Sequence, residues 1–117
     1  MDHRPLLGRS GEDAAAALYG RLGCRIVERN FRTRSGEVDL IARKGKVVIF
    51  CEVKTRRTSR WGLPAEAVDP RKQARLRRLA GEWLSSRRPG RVEVRFDVVS
   101  VIVADSGLEV THLPDAF

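Results

Sequence analysis

The segment GEVDLIARKGKVVIFCEVKT, Gly36 to Thr55, constrains this chain more than any other. Two apolar, β-branched runs flank Lys44-Gly45, the composition of a hairpin with a two-residue turn. With Gly45 at the second turn position, Arg43 opposes Lys46 and Asp39 opposes Phe50. Alternation then gathers Val38, Leu40, Ala42, Val47, Ile49, Cys51 and Val53 on one face. That face is wholly apolar and is predicted to be the main core face. The other carries Glu37, Asp39, Ile41, Arg43, Lys46, Val48, Phe50, Glu52 and Lys54. A three-residue turn would put Asp39 and Glu52 on opposite faces, and the apolar partner face argues for the even turn.

The charges therefore cluster at one end of one face. Asp39 lies diagonal to Glu52, ~7–8 Å away between Cα atoms, with Lys54 one step beyond. Two carboxylates this close repel unless a positive charge stands between them. Mg²⁺ or Mn²⁺ does this well, taking oxygen ligands from one or two carboxylates plus water. A lysine beside such an ion can orient or deprotonate an attacking water, or stabilise charge developing on phosphate. A surface ion pair of Lys54 with either carboxylate is the simpler alternative.

The rest of the chain reads as alternating elements. Ser10 and Asp13 have capping-box spacing ahead of an alanine-rich helix that buries Ala14, Ala15, Leu18 and Leu22 and stops at Gly23. Glu12 falls in the first turn of that helix, where the dipole favours a negative charge. CRIVERNF, residues 24–31, is a strand, and RTRSG, 32–36, a basic turn. A basic loop with Trp61, Gly62 and Pro64 spans 56–64, and AEAV, 65–68, is a turn or short helical piece. Asp69-Pro70 starts a second helix, with Leu76, Leu79, Ala80, Trp83 and Leu84 at helical spacing to about Ser86. VEVRFDVVSVIV, 92–103, is a long strand in which Asp97 pairs with Arg95. Ser106-Gly107 turns into the closing edge strand LEVTHL. The order α-β-β-β-α-β-β predicts an α/β fold, a single mixed β-sheet flanked by helices. The 117 residues suit one domain, residues 1–117, with its core over about 8–113.

Apolar runs fall short of the ~20 residues of a membrane helix, and Gly8 and Arg9 cut off any signal-peptide core after Leu7. A cytoplasmic protein with no membrane partner is expected. In that reducing setting Cys24 and Cys51 are not expected to pair, and Cys51 reads as a small buried hydrophobe. The formal net charge of +8 makes nucleic acid the leading polyanionic partner, against a general arginine bias in composition. The charge is also clustered: Lys54, Arg56, Arg57, Arg60, Arg71, Lys72, Arg75, Arg77 and Arg78 stand within 25 positions. Arg56, Arg57 and Arg60 follow the charged strand directly. Arg71 and Lys72 occupy a helix first turn suited to phosphate, and Arg32 sits in the basic turn. Arg77 and Arg78 fit a solvated helix face as well as a contact. Trp61 could stack on a base, anchor the loop or meet a second copy. No base-reading helix is apparent, so DNA shape rather than sequence would be recognised.

Asp39, then twelve residues, then Glu52-Val53-Lys54 resembles the core of the PD-(D/E)xK nuclease superfamily. The wider pattern is more specific: GE-x-x-A at 11–15, Asn30-Phe31-Arg32, GEVDLIA at 36–42, EVKTR at 52–56, Gly62 with Pro64, Lys72, and RFDVV at 95–99. Over roughly residues 8–103 this resembles the YraN family of small bacterial proteins, and also archaeal Holliday junction resolvases. The resemblance implies a restriction-endonuclease-like core. It implies a site in which Glu12, Asp39, Glu52 and the Val53 carbonyl hold Mg²⁺ or Mn²⁺ and Lys54 is the catalytic lysine. The proline that usually precedes the strand aspartate is Val38 here. Glu37 would take a second metal or pair with Arg32 or Lys54. The implied activity is metal-dependent DNA endonuclease, on branched or structured DNA and as a homodimer. The alternative is a non-catalytic nucleic-acid-binding protein that retains a nuclease fold.

Overall fold

The computed structural model describes residues 6–57 and 68–117, apart from the side chains of residues 6–9. Arg60, Trp61, Gly62 and Pro64 of the basic loop, and residues 65–67, lie outside the described residues. Seven elements follow in the expected order: α1 (Leu6–Arg21), β1 (Arg25–Thr33), β2 (Gly36–Lys44), β3 (Val47–Arg56), α2 (Pro70–Arg87), β4 (Glu93–Ala104) and β5 (Gly107–Leu113). They form one five-stranded mixed sheet in the spatial order β1-β2-β3-β4-β5. β3 and β4 are parallel, joined across α2, and the other neighbours are antiparallel. Among the described residues, no helix is long and apolar enough to cross a membrane.

The helices cover opposite faces of the sheet. Ala15, Ala16 and Tyr19 of α1 pack on Leu40, Ala42, Ile49, Cys51, Val99 and Val101. Leu76, Leu79, Ala80 and Trp83 of α2 pack on Phe31, Val38, Ile41, Val48, Phe50 and Val98. The sheet therefore has two cores, not the single main apolar face expected from the hairpin. Ile41, Val48 and Phe50, assigned to the mixed face, are fully buried under α2.

Three local differences from the sequence reading matter for function. α1 begins at Leu6, so Ser10 is not its N-cap and Glu12 lies in the second turn, with no acidic residue in the first. The dipole explanation for Glu12 is thereby removed. The helix stops at Arg21 and closes in a Schellman arrangement, with Cys24 N–H donating to the Tyr19 carbonyl (2.9 Å) and Gly23 at φ 83°. Leu22 consequently falls outside the helix and is 42% exposed, while Tyr19 takes the core position.

The hairpin turn is two residues long, but its tip is Gly45-Lys46, with Lys44 paired to Val47. Only Gly45 of the two has positive φ, 59°, the pattern of a type II′ turn. Moving the tip by one residue on each side keeps the even parity, so Leu40 still shares a face with Cys51 and Ile41 with Phe50. It also moves Asp39 from opposite Phe50 to the level of Glu52.

The third difference is a change of face in β1 and β2. Arg29 pairs with Leu40 and reaches Asp13 of α1, whereas Phe31 pairs with Val38 under α2. Strict alternation would keep Arg29 and Phe31 on one side. Asn30 between them has φ 55°, in the left-handed region that asparagine tolerates better than most residues. β2 changes face with it, so Asp39 and Leu40 both serve the α1 side.

Candidate metal and nucleic-acid site

The site forms where β2 and β3 part. Their pairing runs from Lys44–Val47 to Leu40–Cys51, whereas β3 stays paired with β4 as far as Arg56–Ile102. Beyond the last β2–β3 pair, Asp39 Oδ2 accepts the Val53 N–H at 2.8 Å. A side chain thus replaces the next rung of the ladder. In a strand a residue's N–H and C=O point to the same edge, so the Val53 carbonyl is also directed into the opening.

Three carboxylates converge there. Oxygen atoms of Glu12, Glu37 and Asp39 all lie within 4.8 Å of one another. Glu12 is only 6% exposed. α1 can bring it this close because of Gly11, where an added Cβ would overlap the Thr55 side chain of β3. Asn30 bridges two members of the group, its Nδ2 donating to Glu12 Oε1 (3.1 Å) and Glu37 Oε1 (2.9 Å). Arg32 donates from Nε to Glu37 Oε2 at 3.2 Å. These three oxygen donors form a set that could hold a metal ion.

Glu52, expected beside Asp39, lies outside that group of three. It is 8% exposed, and its Oε1 sits 3.5 Å from Lys54 Nζ. Cys51 and Val53 pack with the α1-side core, so alternation turns Glu52 and Lys54 toward α2. There Lys72 meets them. Its ammonium is held below the usual lysine range, first by Lys54 beside it and then by burial, with Glu52 and Asp69 opposing. The opening is therefore lined by carboxylates on the α1 side and by Glu52, Lys54 and Lys72 on the α2 side.

Among the other basic residues expected at nucleic acid, Arg56 is half-buried at the end of β3, and Arg57 and Arg71 are exposed. Arg32 is 67% exposed, but its charge is turned to Glu37. Asp69 is the N-cap of α2, accepting the Lys72 N–H at 2.9 Å, with Pro70 following as expected.

A second polar group was not legible as a group in the sequence. Asp97 is fully buried and takes Arg95 Nε and NH2 (2.8 Å each), Tyr19 Oη (2.7 Å), His112 Nε2 (2.8 Å) and the Asp115 N–H (3.0 Å). Burial alone would raise its pKa. The donors from Arg95, His112, Tyr19 and Asp115 outweigh it and hold the carboxylate below its ordinary value. The predicted Arg95–Asp97 pair exists, but Tyr19 and His112 join it from 78 and 15 residues away. Burial pushes the neighbouring Cys51 thiol well above the usual range, so it stays protonated and behaves as a core hydrophobe.

Fold and site together define an α/β protein whose mixed sheet opens around a cluster of carboxylates. The family model described as "Uncharacterised protein family UPF0102" matches residues 11–101, and the chain belongs to that family, the YraN family of the resemblance above. A UPF0102 protein of Geobacter sulfurreducens is 46% identical over 116 residues, covering 98% of this chain and 91% of its own. One from Rhodococcus opacus is 49% identical over 120 residues, covering 100% of both. One from Dictyoglomus thermophilum is 43% identical over 113 residues, covering 95% and 96%. Among solved structures, Pyrococcus furiosus SfsA in complex with Ca²⁺ aligns at a TM-score of 0.35 and 17% identity, over 93% of this chain and 62% of that one.

Proposed function

We propose that this protein is a metal-dependent endonuclease that hydrolyses phosphodiester bonds in DNA. The observation that carries this reading is the convergence of Glu12, Glu37 and Asp39 within 4.8 Å at the opening of the sheet. The Glu52-Val53-Lys54 strand borders the same opening. Glu12, Glu37 and Asp39 would hold Mg²⁺ or Mn²⁺, with the Val53 carbonyl and Glu52 at its border. When bound, such an ion polarises a phosphoryl oxygen and lowers the pKa of a coordinated water.

The chain's own residues account for the rest. Lys54 positions the water for in-line attack and steadies negative charge on the phosphoryl oxygens, and Glu52 holds Lys54 in place. Asn30 keeps Glu12 and Glu37 in register. Lys72 and Arg56 hold the strand on the α2 side, with Arg57, Arg60 and Arg71 adding sequence-independent phosphate contacts. Branched DNA cut by a homodimer is the substrate and assembly that the resolvase resemblance favours.

The test is incubation with single-stranded, duplex, flapped and four-way DNA, each with Mg²⁺ or Mn²⁺. Wild type is compared with Asp39→Ala and Lys54→Ala. Metal-dependent cleavage lost in both variants is expected. Cleavage that survives both would reject the site. Binding without cleavage by wild type would favour the non-catalytic nucleic-acid-binding alternative.

A further inference from the structure

The first turns of α2 and the β1–β2 turn enclose a cavity of 420 Å³, lined by Ser35, Asp69, Arg71, Lys72, Arg75 and Arg78. Its volume lies within the ~300–1,000 Å³ of small-molecule sites. Four cationic side chains and one carboxylate line it, and that carboxylate, Asp69, already accepts the Lys72 N–H as helix cap, while Glu82 beside Arg78 is held by Ser35 at 2.8 Å. Half-buried Arg95, by contrast, is matched within the fold by Asp97.

Arg75 is different. Its Nε is shielded from solvent and has no hydrogen-bond partner among the described residues. Its stem lies over Gly36, where a Cβ would stand 2.9 Å from Arg75 Cδ. Arg75 lines the cavity, and beside the shielded Nε its guanidinium carries further N–H donors that an anion can take. Lys72 stands in both this cavity and the candidate site, so a ligand here abuts a strand bound at the opening.

Charge selects the ligand. A phosphodiester within a strand carries one negative charge. A phosphomonoester carries about −1.5 to −2 at pH 7 and offers three acceptor oxygens.

We propose that this cavity binds the terminal phosphomonoester of a nucleic-acid strand, held by Arg75, Arg78 and Arg71, with Lys72 linking it to the candidate site. The proposal rests on the nucleic-acid reading above and names which end of the substrate is recognised.

The test is a binding measurement without divalent metal, so that cleavage plays no part. Single-stranded DNA oligonucleotides of one sequence carry a 5′-phosphate, a 3′-phosphate or hydroxyls at both ends, and affinity is read by fluorescence anisotropy. One phosphorylated form is expected to bind roughly 10-fold tighter than the hydroxyl form. Arg75→Gln should abolish the difference, and Arg75→Lys, which keeps the charge and most of the stem, should restore part of it. Circular dichroism confirms that each variant is folded. Equal affinity of all three oligonucleotides overturns the proposal, as does a preference that survives Arg75→Gln combined with Arg78→Gln. Inorganic phosphate and a nucleoside 5′-monophosphate serve as competitors. Displacement of the phosphorylated oligonucleotide by either at equal concentration would assign the cavity to a free phosphate and overturn the strand-end claim. A protein that cleaves DNA but ignores end phosphates retains the proposed function and loses this inference alone.

Discussion

Asp39 accepts the Val53 N–H at 2.8 Å just beyond the point where β2 and β3 cease to pair. The same carboxylate thus ends the β2–β3 ladder and belongs to the acidic group with Glu12 and Glu37. Structural and chemical roles of one side chain can be separated by substitution.

Asp39→Asn keeps an oxygen for the Val53 N–H but removes the charge, whereas Asp39→Ala removes both. Both variants should bind Mn²⁺ at least about 100-fold more weakly, since even outer-shell changes cost 10–100-fold. Only the alanine variant should lose stability, by about 1–3 kcal/mol for an unsatisfied amide. Isothermal titration and thermal melting report the two effects. Mn²⁺ affinity unchanged in Asp39→Asn would remove Asp39 from the ligand set.

Gly11→Ala tests how α1 is seated. The new methyl has no room against Thr55, and overpacking of this kind costs about 1–3 kcal/mol. The helix must lift from β3 and carry Glu12 with it, so Mn²⁺ affinity should fall in a protein that remains folded. An unchanged affinity in folded Gly11→Ala would show that Glu12 does not contribute to binding.

Lys54→Met keeps the aliphatic stem and removes the ammonium beside Glu52. Cleavage should fall by about 10²–10⁴-fold, the range for a positioned proton-transfer group. DNA affinity in the absence of metal should change several-fold at most, because Arg56, Arg57 and Lys72 remain. Quenched-flow cleavage beside a binding isotherm separates the two. A proportional loss of both would make Lys54 a binding residue only.

Asp97→Asn addresses the buried network. The folded pKa of Asp97 is depressed, so its contribution to stability is fully present above the ordinary carboxylate value of about 4. That contribution is lost as pH falls through the lower folded value. At neutral pH the substitution should cost about 1–3 kcal/mol, because the charge-assisted bonds to Arg95 are weakened while that side chain keeps partial contact with water. The variant's denaturation midpoint should then depend less on pH below 4 than that of wild type. Parallel acid profiles for the two proteins would contradict this account.

Most of the fold was legible because it rests on local patterns. Asp69-Pro70 and the Leu76, Leu79, Ala80, Trp83 spacing define α2, and the alternating runs define β2, β3 and β4. The sequence reading groups Asp39, Glu52 and Lys54 by strand position and adds Glu12 through the family resemblance, whereas the structure brings Glu12 and Asp39 together with Glu37 and leaves Glu52 outside. Period-two reasoning placed Asp39 and Glu52 on one face, and it fails at Asn30, whose left-handed backbone turns β1 and β2 over. An asparagine in the middle of a strand was the available signal. Glu37, left open between metal and ion pair, joins the carboxylate group and also takes Arg32. The Tyr19–Asp97–His112 network had no linear signature, because its members come from α1, β4 and β5.

The order of elements along the chain has a consequence for synthesis. Glu12, Glu37, Asp39, Glu52, Val53 and Lys54 all belong to α1 and the antiparallel trio β1–β3, which are consecutive and make short-range contacts. Lys72 arrives only with α2, and the parallel partner β4 only after that crossover. On the ribosome, where N-terminal segments emerge first, the carboxylates are exposed before that counter-charge is made. The nascent half-chain therefore carries the site's negative charge without the later lysine that helps balance it.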